Sequence, residues 1–295
     1  MFNKKSQRQI QEEVPYKVIR IESWEEFIEL VTDCYSNWAF RGQANENWPL
    51  FSSLSRHLRS FQIHPKVWAG QEERILRIFK RKAHHFLSHI PAPDDDFEWL
   101  ALMQHHGAPT RLLDFTWSPY VAAFFALEEA EGDAAVWALN PSRISYADRI
   151  RIKGERTIQP EQMNPRLGYN YKHYFLDGQI PFVWVGDPYI MNKRLVAQSG
   201  TFAMPGTLDE PIEDILSGYE DPENVLVKFI LSRDHVRIKG MTELYRMNIT
   251  YATLFPDLNG LAQSLAWELE FHWAYDPRTA EQYPDFGTDR FSSPK

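Results

Sequence analysis

The chain has 295 residues, 43% hydrophobic and 24% charged, proportions of a packed protein that exclude wholesale disorder. No apolar run reaches the roughly 18–20 residues of a membrane span, and the polar opening MFNKKSQRQIQEE does not read as a secretory leader. The single cysteine, Cys34, excludes an internal disulfide framework, and a cytoplasmic protein is expected. A net charge of −8 argues against a surface that coats nucleic acid as a whole, but the charge is uneven. Residues 56–89 carry net +6 and the remainder −14.

Alternation in YKVIRI (16–21) predicts a strand, and Ser23-Trp24-Glu25-Glu26 reads as a capping box opening a helix to about Asp33. Cys34, in an aromatic neighbourhood, is expected to be a buried structural thiol. WAFRG (38–42) is a short strand. From about Pro65 to Leu87 the pattern is helical, with Leu76, Phe79 and Ala83 on an apolar stripe and Arg74, Arg77 and Arg81 on another face. Asp94–Asp96 is expected to cap a helix over 97–106 that ends at Gly107. Ser118-Pro119 is a strong start signal for the apolar helix YVAAFFALEEA.

AAVWALN (134–140) reads as a buried strand. Residues 141–180 show no clean period and contain Tyr169, Tyr171 and Tyr174, so a long excursion lining a site is expected. Further strands are expected at 181–185, 194–204 and 224–232, then helices at about 234–249 and 258–272, then a loose polar tail beyond Tyr275. Strands and helices mix without a βαβ rhythm. The expected fold class is α+β, one domain with a mixed sheet and flanking helices.

Familiar chemical signals are absent: no Gly-rich phosphate loop, no GxGxxG and no G-x-S-x-G. His84, His85, His89, His105 and His106 cluster, but no HExxH accompanies them and no metal site is expected. Two segments resist a purely structural reading. In Phe40-Arg41-Gly42-Gln43 a fixed cation ends an apolar strand beside a glycine, where backbone can approach a ligand. Gln104-His105-His106-Gly107-Ala108-Pro109-Thr110-Arg111-Leu112-Leu113-Asp114-Phe115-Thr116-Trp117-Ser118 gathers imidazole, guanidinium, carboxylate and hydroxyl groups between two helix ends. The free N–H groups behind Ser118 suit an anion. Arg111 and Asp114 flank an apolar pair and are expected to lie close together or share a ligand.

These blocks resemble the FRG-domain family, named for the Phe-Arg-Gly found here at 40–42. The resemblance continues through Gln104–Asp114, the helix ending AAFFALE, Gln198-Ser199-Gly200-Thr201-Phe202 and Leu254-Phe255-Pro256-Asp257-Leu258-Asn259-Gly260. It implies a lead-in at 1–34, an FRG domain at 35–275 and a tail at 276–295. A more distant likeness is to ADP-ribosyltransferases of the Arg-Ser-Glu type. Arg41 stands where their first motif has arginine, Thr116 and Ser118 near their Ser-Thr-Ser strand, and Gln198 where their catalytic glutamate strand falls.

That likeness implies an ADP-ribosyltransferase-like fold and an NAD-dependent, toxin-like effector that modifies a macromolecule, with nucleic acid slightly favoured over protein. A partner protein would hold it in check. Arg41, His105, Arg111, Asp114 and Gln198 would be the catalytic set, and Arg41, Gly42, Gln43, Thr116 and Ser118 would bind NAD. Position 198 departs from the pattern, because Gln carries no charge; Asp114 is the first candidate to replace the missing carboxylate. The alternatives are a non-catalytic FRG module that recognises a nucleotide or protein, and an NAD glycohydrolase.

Overall fold

The computed structural model describes residues 14–87, 89–145, 150–152, 156–158, 160–270, 272 and 274–282. The opening segment 1–13 and most of the expected tail, 283–295, lie outside the described residues. In chain order the first half holds β1 (Lys17–Ile21), α1 (Trp24–Asp33), β2 (Ala39–Gln43), α2 (Ser53–Ser60), α3 (Trp68–Ala83), α4 (Asp96–His105), β3 (Leu113–Thr116) and α5 (Pro119–Leu127). Then come β4 (Ala134–Leu139), α6 (Pro141–Ser145), and the short strands β5 (Ile150–Ile152) and β6 (Arg156–Ile158). The remainder holds β7 (Val183–Gly186), α7 (Lys193–Ala197), β8 (Gly200–Pro205), α8 (Ile212–Leu216), β9 (Leu226–Leu231), α9 (Arg233–Arg246), α10 (Tyr251–Leu254) and α11 (Leu258–Glu268). Among the described residues no helix is long and apolar enough to cross a membrane.

Seven strands form one mixed sheet in the order β1-β9-β4-β2-β3-β8-β7, with β1 and β9 parallel and the other pairs antiparallel. The class is α+β, as expected. Local chemistry starts the helices where the sequence signals them. Ser23 accepts from the Glu26 N–H, Asp95 from the Glu98 N–H and Ser118 from the Val121 N–H. The box at α1 is not reciprocal, because the Glu26 carboxylate accepts from the N–H of Glu22. Gly107 closes α4 with φ +77°.

One face of the sheet is covered in two blocks. Helices α1, α5 and α9 bury Phe40, Val136, Ala138, Val227 and Phe229, while α3 and α4 pack with Trp184, Phe202 and Met204 at the β8–β7 end. The opposite face holds Ala39, Leu113, Phe115, Trp137 and Leu139 under α8 and its neighbours. The seam between the two blocks falls at β2 and β3, which pair at a single position, Phe40 with Thr116, and then part.

Several expectations change. The run 194–204 is a short helix, α7, followed by β8, because only Leu195 of its apolar residues turns inward and Val196 stays exposed. Helix 65–87 begins as a 3-10 turn at Pro65–Val67 and ends as α3 at Ala83. The stretch 141–180 contains α6, β5, β6 and a π-helical segment, Tyr171–Asp177, and Tyr171 is buried against Phe175 instead of facing a ligand. Cys34 is exposed, not buried.

Candidate functional site

The parting of β2 and β3 opens a cleft of about 580 Å³, within the size range of small-molecule sites. Arg41, Gly42, Gln43, Asp114, Thr116 and Gln198, six of the residues singled out in the sequence, line it together. Arg41 reaches across the gap and donates from Nη1 to the carbonyl oxygen of Asp114 at 2.6 Å. Its Nε is buried without a hydrogen-bond partner, and no ion pair to Arg41 occurs among the described residues. Burial lowers its pKa; the Asp114 charge opposes that shift and the like charge of Arg56 adds to it. A donor buried without a partner is costly unless something else occupies it.

The Asp114 side chain is exposed to the cleft and held by one bond, from Gln104 Nε2 to Oδ2 at 2.9 Å; Gln104 is in turn fixed by the Thr110 hydroxyl at 2.7 Å. Gln43 is spent on the frame. Its Oε1 accepts from the Trp137 indole at 2.8 Å and its Nε2 donates to the Pro49 carbonyl at 3.4 Å, which ties down the loop that carries Trp48. Gly42, which lines the cleft, is also needed for packing. A Cβ there would sit far inside van der Waals contact of the Ala122 carbonyl oxygen, so glycine lets α5 lie directly on β2. Thr116 gives its hydroxyl proton to the Gln198 carbonyl at 2.6 Å and accepts from the Ser118 N–H, and Ser118 caps α5 outside the cleft lining.

Gln198 caps the C-terminus of α7, and its Nε2 donates to the Leu254 carbonyl at 3.1 Å, so the amide clips the 251–260 segment to the cleft. His105 does not line the cleft; it faces a separate cavity of about 300 Å³ with Glu98 and Tyr189. Burial lowers its pKa, helped by His106 and Arg194 and opposed by Asp257. Arg111 is not beside Asp114. It is fully buried and paired bidentately with Glu72, from Nε to Oε1 at 2.7 Å and from Nη2 to Oε2. Its remaining donors go to the carbonyls of Pro205, Gly206 and Phe175 at 3.0, 3.2 and 3.1 Å. Every Arg111 N–H is used, so the residue has no donor left for a ligand.

The cleft also contains residues the sequence did not single out as site groups. Arg56 and Arg194 add two cations, Glu129 a second carboxylate, and Trp48, Phe51 and Phe125 aromatic walls, with the Trp48 ring 54% exposed. Arg56 donates to the Phe51 carbonyl at 2.7 Å, and the Arg194 guanidinium lies 4.4 Å from the centre of the Phe255 ring. The cap pattern Ser52-x-x-Ser55 ahead of Arg56 was the one available signal for α2, on which Arg56 sits.

Residues 36–135 match the family model described as the FRG domain. That segment, about a third of the chain, is similar to the FRG domain. The matched segment supplies β2, α2, the 104–118 block and Glu129, while Arg194 and Gln198 reach the cleft from outside it. The resembling blocks at 198–202 and 254–260 also fall beyond the match. No curated protein and no solved structure matches the chain. Among the described residues no three His, Cys, Asp or Glu side chains gather as a metal site would require.

Proposed function

We propose that the cleft is the donor site of an NAD-dependent ADP-ribosyltransferase. The observation that carries the reading is Arg41, a half-buried guanidinium whose Nε is buried without a partner at the parting of two strands. A pyrophosphate is its natural complement, and Arg56 and Arg194 add charge of the same sign nearby. Trp48, Phe51 and Phe125 offer apolar faces to planar rings, and the volume suits a dinucleotide folded into the gap. In the reaction the bond between nicotinamide and ribose C1′ breaks, nicotinamide departs, and an acceptor nucleophile bonds to C1′ as it loses its proton. Asp114, an exposed carboxylate on the cleft wall, would stabilise positive charge at C1′ or take that proton.

The acceptor is a macromolecule, nucleic acid or protein, and the distant resemblance adds a toxin-like role under an inhibitory partner. Transfer is tested with NAD labelled in its adenylate half. Label that becomes attached to a macromolecule, and is lost on Arg41→Ala, supports the transferase. Release of nicotinamide without attachment means that water is the acceptor. Nuclease and protease digestion of the labelled product separates the two acceptor classes. One observation favours a second reading, a non-catalytic nucleotide-recognition module: the amide of Gln198 is uncharged and tied to the Leu254 carbonyl. That reading expects NAD or a related nucleotide to bind without turnover.

A further inference from the structure

Helix α3 presents two neighbouring faces to solvent. Arg74, Arg77 and Arg81 form an exposed stripe, Lys82 is exposed beside it, and no ion pair to any of the four occurs among the described residues. The nearby Lys80, in contrast, is neutralised by Asp96 at 2.6 Å. Next to the stripe runs a groove of about 290 Å³ with almost wholly apolar walls. Ile75, Ile78, Phe79 and Phe86 form one side and Ala108 and Pro109 the other; Ile78 is 39% exposed and Phe86 86% exposed. Ile75, Ile78 and Phe79 recur at i, i+3 and i+4 on α3, the spacing of a helix seam, and Phe86 extends the apolar wall from the turn after the helix.

We propose that this groove docks an acidic amphipathic helix from a partner protein. The apolar floor takes the partner's apolar stripe and the basic rim takes its flanking carboxylates. On a chain of net −8, four unneutralised cations beside an apolar groove define the charge of the occupant. A nucleic acid would use the cations but gain nothing from a floor without polar groups to meet base edges. The groove also adjoins the cleft machinery, since Pro109 precedes Thr110, whose hydroxyl fixes Gln104 and through it Asp114.

The test uses the full chain and a fluorescein-labelled helical peptide of roughly 18 residues, with Leu at seam spacing and Glu on its flanks. A scrambled peptide of the same composition and an oligothymidylate serve as comparisons. The patterned peptide is expected to bind about tenfold or more tighter than the scrambled one, and to weaken as salt rises. Ile78→Ser and Phe86→Ser, both at exposed positions, should each weaken it about tenfold, as should the combined Arg74→Gln, Arg77→Gln, Arg81→Gln variant. Equal affinity for the two peptides, no binding of the patterned peptide, or binding unchanged by Ile78→Ser and Phe86→Ser overturns the proposal. So does an oligothymidylate that binds more tightly and displaces the peptide.

Discussion

Glu72→Ala separates a structural role for Arg111 from a catalytic one. The substitution removes the carboxylate that neutralises a fully buried guanidinium and leaves the cation facing the Pro205, Gly206 and Phe175 carbonyls alone. Breaking one side of a buried pair costs about 3–5 kcal/mol, out of a total stability of roughly 5–15 kcal/mol. For a chain of this size that is a fall in melting temperature of roughly 6–10 °C. Urea unfolding at neutral pH, followed by tryptophan fluorescence, reads the loss directly. Asp114→Asn is the comparison, because its side chain is exposed and held by one bond; it should shift stability by no more than about 0.5 kcal/mol. Replacing both partners, as Glu72→Leu with Arg111→Met, should recover much of the loss by removing the unpaired charge. A Glu72→Ala protein within about 1 kcal/mol of the native one, or an Asp114→Asn protein as damaged as Glu72→Ala, refutes this account of the block.

Three further outcomes follow from the same geometry. Gly42→Ala should destabilise by about 3 kcal/mol or more, because the new methyl meets the backbone of α5, which cannot yield as a side chain can; chemical unfolding measures it. Burial raises the Glu213 carboxyl from 4.5 to about 7, so the folded state stays protonated between those values while the unfolded chain ionises. Stability should therefore fall as pH rises from 4.5 to 7, at about 1.36 kcal/mol per unit and about 3 kcal/mol in all. Glu213→Gln should remove most of that slope in urea titrations at several pH values; an unchanged slope contradicts the assignment. Arg41→Ala should abolish NAD binding at a stability cost of about 1 kcal/mol, and Arg41→Lys should restore little if the contact is bidentate; calorimetric titration checks both.

Local signals made much of the fold legible. Ser23, Asp95 and Ser118 satisfy N–H groups three residues away, so the starts of α1, α4 and α5 are written within one turn of sequence. The β2 strand and the 104–118 block were likewise found as unusual, and the sheet brings Arg41, Asp114 and Thr116 to one cleft. What failed was long-range. Arg111 and Asp114 are three residues apart, but the partner of Arg111 is Glu72, 39 residues away on α3. A helix face cannot reveal from its own sequence which carboxylate turns inward. Arg56 and Arg194 were invisible as site groups for the same reason, since only the parting of β2 and β3 brings α2 and α7 to one opening. The 194–204 run misled because the residues of α7 continue into a true strand, and β-branched and apolar residues suit both.

The structure of the chain determined with NAD bound tests the central claim most directly. The account predicts the dinucleotide in the parting of β2 and β3, a pyrophosphate oxygen within hydrogen-bond distance of Arg41 Nε, and the nicotinamide ribose turned toward Asp114. NAD seated in another cavity, or a cleft that stays empty of it at saturating NAD while Arg41 keeps its idle donor, would contradict it.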